Sequence, residues 1–288
     1  MKKIGIIGAG IMAAGMAQNF LKHGYEVFIW NRSPEKLKPL VMAGAKQLDT
    51  PKAVSEASDI VIECVSDDAA SRSVWLGEKG ILAGAGEHTT LIASSSLSLS
   101  WTDELIGLCA DKHYKFLDMP LTGSRAGAEN GKLRLLVGGD AQVLESVRTD
   151  LEMISEKIYH FGPGGSGMRF KLILNSLIGI HMNAAAQAIA MARKAGIELD
   201  VFGHALFDGA MGPASPATKL VIDSFGWDKD HVNFAAELLE KDLGYAKDMA
   251  KQYGFDFDLL NDTHADYQKL KTAGHGKSDV TSIRHLFD

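Results

Sequence analysis

Cysteine is scarce: Cys64 and Cys109 are the only two in 288 residues. They lie far apart and show no metal-ligand spacing, so neither a disulfide framework nor a metal site is expected, and a reducing cytoplasm fits. Basic runs are lacking as well, and the formal net charge is −6. That balance argues against a nucleic-acid partner. Met1-Lys2-Lys3 followed by apolar residues imitates the start of a signal peptide, but the run breaks at Gly8-Ala9-Gly10 before a hydrophobic segment is complete. No window elsewhere reaches the uninterrupted length of a membrane span; Leu172–Ile180 comes nearest, and it contains Asn175. Internal repeats and low-complexity segments are absent. The expectation is a soluble, uncleaved, cytoplasmic protein with no membrane partner.

The length suits two domains. In the first half, short apolar runs rich in β-branched residues alternate with helical patterns. Strands are expected at Ile4–Ile7, Glu26–Trp30, Ile60–Val65, Thr89–Ile92, Lys115–Asp118 and Leu133–Val137, with helices such as Met12–His23 and Trp101–Ala110 between them. Such alternation predicts a doubly wound α/β domain with a mostly parallel sheet. The Gly/Pro cluster Phe161–Gly167 marks the boundary, which gives domains 1–162 and 163–288. Beyond it strand signals vanish. Met168–Ala195 reads as one long helix ending before Gly196, alanine-rich and apolar enough to be buried on all sides. Helices at Asp200–Phe207, Ala217–Asp223, Ala235–Tyr253 and Leu259–Ala273 complete an all-helical second domain. Its small polar face suggests burial against another subunit, in a homodimer or homotetramer.

The residues Gly8-Ala9-Gly10-Ile11-Met12-Ala13 fit G-x-G-x-x-G/A. Gly8 permits the tight turn out of the strand, Gly10 lets the backbone approach a pyrophosphate, and Ala13 lets helix and strand pack closely. The following helix presents its N–H groups and positive dipole end to the phosphates. The motif follows a strand and opens a helix, the context it requires. Gly8, Ala9, Gly10, Ile11 and Met12 are therefore the expected cofactor loop. An NAD site would close the second strand on a carboxylate that binds the ribose 2′-hydroxyl. Here the chain has Asn31-Arg32-Ser33. Asn31 is neutral, Arg32 offers a fork of donors suited to a 2′-phosphate, and Lys36 adds charge one turn on. NADP is the expected cofactor.

Three further motifs complete a resemblance to the β-hydroxyacid dehydrogenase family, the 3-hydroxyisobutyrate dehydrogenase-like enzymes, and within it to the glyoxylate/succinic semialdehyde reductase branch. Asp118-Met119-Pro120-Leu121-Thr122-Gly123-Ser124 looks like the family's D-x-P-[VL]-[ST]-G-[GS] substrate loop, which implies Thr122, Gly123 and Ser124 as carboxylate binders. Gly162 to Lys171, then Asn175, is similar to G-x-G-x-x-x-K-x-x-x-N and implies Lys171 and Asn175 as catalytic residues. Spaced four apart, they share one helix face. Phe234 through Lys241-Asp242-Leu243 resembles the stretch that implies Phe234 and Asp242 near the substrate and Lys241 at the cofactor. Two segments depart from the family pattern: Ala93-Ser94-Ser95-Ser96, where Ser96 aligns with a hydroxyl near the nicotinamide ribose and is expected to touch both cofactor and substrate, and Cys64-Val65-Ser66, where a proline is replaced and Val65 is the cofactor-lining residue.

The activity implied is NADPH-dependent reduction of a small carboxylate-bearing aldehyde or keto acid, with Lys171 as general acid/base. A lysine amine is protonated at neutral pH, so reduction is expected there and the reverse oxidation at alkaline pH. An imine reductase-like enzyme is the near alternative, although those enzymes commonly carry Asp or Tyr where Lys171 stands. A non-catalytic NADPH-binding module is the alternative from another class. 6-Phosphogluconate dehydrogenase shares the ground plan, but its extra helical domain has no room here.

Overall fold

The first apolar run forms strand β1 (Lys3–Ile7), all buried after Lys3. It is followed by β2 (Glu26–Trp30), β3 (Lys46–Gln47), β4 (Ile60–Glu63), β5 (Thr90–Ala93), β6 (Lys115–Asp118), β7 (Leu121–Thr122), β8 (Leu133–Gly139) and β9 (Ser155–His160). This architecture is taken from a computed structural model that describes residues 2–208, 215–228 and 230–287. The described strands make one nine-stranded sheet in the order β3-β2-β1-β4-β5-β6-β8-β7, with β9 on β8. Pairing is parallel from β3 through β6, and β8 runs antiparallel to β6 and β7. Every residue of β4 and β5 is buried. That is the signature of a parallel sheet covered on both faces, and it explains why these strands read as mostly apolar runs.

Three strands were not anticipated. β3 is two exposed polar residues, and β7 is two residues inside the Pro120 loop. β9 is a polar, largely exposed edge strand without apolar alternation, yet it pairs in parallel with β8 from Leu133 to Val137.

The strand order reverses between β1 and β4, the topological switch point where a doubly wound sheet binds its ligand. Gly8 leaves β1 there with φ +122°, and its N–H donates to Trp30 O at 2.9 Å. A Cβ on Gly8 would stand 2.1 Å from Cys64 O, so both the backbone angle and the neighbouring strand end demand glycine.

The chain divides into two compact units, Met1–Lys171 and Leu172–Asp288. The second is helical. The long helix Ser166–Lys194 enters it, followed by Leu199–Phe207, Pro216–Asp223, Ala236–Gln252 and Asp258–Leu270. The last of these ends three residues earlier than the sequence suggests, because the chain widens into a π turn at Lys271–His275 with Gly274 at φ +92°. The expectation that the long helix is buried on all sides is corrected. One stripe packs within the unit. A Cβ on Gly179 would stand 3.1 Å from Leu243 Cδ2, so the glycine lets that leucine pack close, and Asn183 Nδ2 donates to Asp266 Oδ2 at 2.9 Å. The opposite stripe is exposed, with Ile173 at 49 %, Leu177 at 46 % and Met191 at 71 %. By length and composition this helix is also long and apolar enough to cross a membrane, although no uninterrupted apolar run in the sequence announces it. Its packed stripe and the Asn183–Asp266 bond are those of a core helix.

Candidate functional site

The first unit gathers its candidate residues at the carboxyl ends of its strands. Helix Ile11–Lys22 begins directly after Gly10, with no side-chain cap on its first N–H groups. A Cβ on Gly10 would meet nothing within 4 Å. The turn thus offers open space, backbone donors and a positive dipole end together, which fits a pyrophosphate. At the end of β2, Asn31 Nδ2 donates to Ser33 O at 2.9 Å. Arg32 and Lys36 are exposed, and neither makes an ion pair among the described residues. Two solvated cations with no carboxylate partner stand where a dinucleotide's adenosine ribose belongs.

At the ends of β4 and β5 the side chains interlock. Val65 N–H donates to Ser95 Oγ at 2.7 Å, and Ser95 Oγ donates to Glu63 Oε1 at 2.8 Å. Ser98 N and Oγ bind the carboxylate of Asp68. Ser94 and Ser95 are buried, whereas Ser96 is partly exposed, so Ser96 is the hydroxyl of the run that reaches outward. The Val65 N–H is engaged inside the protein, and Val65 itself is partly exposed.

Asp118 closes β6 with no exposure, and one carboxylate oxygen accepts from Gly165 N–H at 2.6 Å, the other from Met168 N–H at 2.8 Å. It therefore caps the start of the long helix and fixes that helix to the strand feeding the Thr122–Ser124 loop. Burial pushes its pKa up, opposed by the two backbone N–H donors. In the loop, Gly123 has φ +131° and Ser124 φ +54°. A non-glycine residue held in the left-handed region is uncommon and concentrates at functional loops. Lys171 follows Met168 along the helix and is 8 % exposed.

In the second unit, Asn175 is buried and donates from Nδ2 to Asp242 Oδ2 at 2.6 Å, while Asn175 Oδ1 has no hydrogen-bond partner. Lys241 Nζ lies 2.9 Å from Asp242 Oδ1 but off the hydrogen-bonding direction, so the contact is an ion pair only. Asp279 receives the N–H groups of Asn233 and Phe234 at 2.8 and 3.2 Å and holds the Phe234 segment in place. A buried unpaired acceptor on Asn175 is costly unless a ligand or a neighbouring donor engages it.

Sequence reasoning missed two residues. Asp118 entered only as part of a motif, not as the cap it forms. Glu63 was not singled out, although it is wholly buried and has its pKa raised to about 7, chiefly by burial. The signal available was a glutamate closing an otherwise apolar run. Because the folded state holds this proton more tightly than the unfolded chain, stability declines as pH rises from about 4.5 through about 7. Glu63→Gln is expected to leave thermal stability at pH 4 nearly unchanged and to raise it at pH 8, by ~3 kcal/mol at most. Melting curves at the two pH values check this, and an equal shift at both would contradict it.

A glycine turn at the switch point of a doubly wound sheet, joined to a helical second unit, defines the nicotinamide-dependent oxidoreductases of two-domain build. Residues 3–162 match the family described as the NAD-binding domain of 6-phosphogluconate dehydrogenase. Residues 165–287 match the one described as NAD-binding of NADP-dependent 3-hydroxyisobutyrate dehydrogenase. An uncharacterized oxidoreductase of Synechocystis sp. is 35 % identical over 214 residues, 74 % of each chain. Glyoxylate/succinic semialdehyde reductase 1 of Arabidopsis thaliana is 27 % identical over 98 % of this chain and 96 % of its own. The solved 3-hydroxyisobutyrate dehydrogenase of Mycobacterium tuberculosis, with L-serine, superposes with a TM-score of 0.85 at 25 % identity over 99 % of both chains. The chain belongs to the β-hydroxyacid dehydrogenase family, and is a dehydrogenase or reductase with a nicotinamide-dinucleotide-binding domain.

Proposed function

We propose that this protein is an NADPH-dependent reductase that converts a small carboxylate-bearing aldehyde or keto acid, of the glyoxylate or succinic semialdehyde type, to the hydroxy acid. The observation that carries the reading is Lys171, an amine 8 % exposed on the first turns of a helix whose start is clamped by Asp118. A reduced nicotinamide, when bound, supplies the hydride. Gly8–Met12 hold the pyrophosphate on backbone N–H groups, and Arg32 with Lys36 selects the 2′-phosphate. Val65, Ser96 and Lys241 line the cofactor. Thr122, Gly123 and Ser124 take the substrate carboxylate with loop N–H and hydroxyl donors. Phe234 bounds the apolar side of the substrate. Lys171 Nζ holds the proton that passes to the carbonyl oxygen as negative charge grows there. Asn175 accepts on its unpaired Oδ1 while its amide is held by Asp242, so it can orient an ammonium or a hydroxyl.

Steady-state NADPH oxidation tests the reading. Glyoxylate and succinic semialdehyde are expected to be turned over, and a cyclic imine of similar size is not. Turnover of the imine alone favours the imine reductase alternative. Tight NADPH binding with no oxidation across small carbonyl acids favours the non-catalytic module. A homodimer or homotetramer in the cytoplasm goes with this reading, the exposed Ile173–Leu177–Met191 stripe being its candidate contact face.

A further inference from the structure

Glu63 is wholly buried at the end of β4, between Ile7 of β1 and Ala93 of β5. Its Oε1 accepts from Ser95 Oγ, which in turn accepts from the Val65 N–H, so the two bonds run from backbone to serine to carboxyl. It ties together the two segments that leave the sheet on one side of the switch point. Oε2 has no hydrogen-bond partner, and neither has the buried Trp75 Nε1, which faces the carboxyl. Ser71 Oγ also reaches towards it while accepting from Trp101 Nε1 at 2.9 Å. The pocket can therefore serve two states. An ionised Oε2 can accept from Trp75 or Ser71, and a protonated Oε2 can donate to Ser71, with the Ser95 link intact in both.

The charged and titratable groups on the packed elements are Cys64 and Asp67 in the following loop, and Asp68 and Arg72 on helix Asp68–Trp75. Asp68 is engaged by Ser98 and Arg72 by Glu104. Helix Leu99–Asp111 carries Asp103, Glu104, Asp111 and the buried thiol of Cys109, whose pKa burial pushes up, and the adjoining parts of β1 and β5 carry none. None of these charges is among the causes that move Glu63; burial leads, and the Ser95 hydrogen bond, with the nearby Ser71 and Trp75 donors, opposes it. A buried carboxyl free of a counter-charge is sensitive to any new charge placed nearby.

In a doubly wound sheet the two halves of a dinucleotide straddle the switch point. With β2 and Arg32 on the adenosine side, β4 and β5 are left for the nicotinamide half. We propose that Glu63 is a positioning residue that senses the oxidation state of the cofactor: ionised, it favours the oxidised nicotinamide, whose ring is cationic, and protonated it does not. Binding of the oxidised form then releases the Glu63 proton to solvent, and binding of the reduced form does not. The inference rests on the nicotinamide site described above, and it concerns binding, not turnover.

The test is the affinity of the wild-type protein for NADP+ and for NADPH between pH 6 and 8, by NADPH fluorescence and its displacement. The 2′-phosphate and Arg32 contribute equally to both nucleotides, so they cancel in the ratio of affinities. That ratio is expected to shift towards NADP+ by about three- to tenfold across this range, and to stay flat in Glu63→Gln. A pH-indicator dye in weak buffer at pH 7 should register proton release on adding NADP+ and little on adding NADPH. A flat wild-type ratio, or an equal slope in Glu63→Gln, overturns the proposal while leaving the cofactor site standing. The wild-type profile decides even if the variant folds poorly. Failure to bind either nucleotide overturns both the cofactor reading and this one; binding of only NADH and NAD+ moves the same test to that pair.

Discussion

Lys171→Ala is expected to lower kcat by ~10²–10⁴-fold, the range a positioned proton donor supplies, while leaving the affinity for NADPH nearly unchanged. Asp118 binds the N–H groups of Gly165 and Met168 and so fixes the first helical turn independently of the lysine side chain. Removing the amine should not unseat the helix or the Gly8–Gly10 turn at the end of β1. Lys171→Arg keeps the charge but not a proton that leaves readily, because a guanidinium stays protonated, and it should be nearly as impaired. Single-turnover NADPH oxidation beside a fluorescence binding measurement separates the two effects. A Lys171→Ala protein that keeps a tenth or more of the wild-type rate would remove Lys171 from catalysis and leave the reaction without its proton donor.

Arg32→Asp is expected to collapse the preference for NADPH over NADH, measured as the ratio of kcat/KM values, by ~10²-fold or more. Arg32 is exposed, follows β2 and makes no ion pair among the described residues, so its replacement should leave melting unchanged. The new carboxylate would repel a 2′-phosphate and accept from a 2′-hydroxyl, reversing both halves of the discrimination at once. Lys36→Ala should give a smaller change in the same direction. An unchanged ratio in Arg32→Asp would mean that Arg32 is only a solvated surface charge.

What could be read from the sequence follows the physics of each element. The strands β1, β2, β4 and β5 are legible because both faces are covered, so most positions are apolar and the run stands out. β9 is not, since Ser155–His160 is an edge whose charged side chains face solvent and whose pairing is visible only in three dimensions. The long helix misled in the other direction: alanines and apolar residues on every face look like burial on every face, yet Ile173, Leu177 and Met191 are exposed in the single chain. The glycine turn was legible because both the backbone angle and the close approach of Cys64 O demand glycine at Gly8. Motif spacing singles out Lys171, Asn175 and Asp242, whereas the bond from Asn175 to Asp242 spans 67 positions and leaves no local trace. Glu63 was hidden for a simpler reason: a carboxylate ending an apolar run usually marks a strand emerging into water, and only the packing of Trp75, Ser71 and Ser95 around it shows otherwise.

The double acceptor at Asp118 also bears on redesign. Because one side chain holds the start of the long helix against β6, exchanging residues 122–125 for those of a related enzyme, with the buried Leu121 kept, is expected not to re-aim the amine three positions past Met168. If the loop takes the substrate as proposed, the place to alter substrate choice is downstream of Asp118, and the place to leave untouched is Asp118 itself.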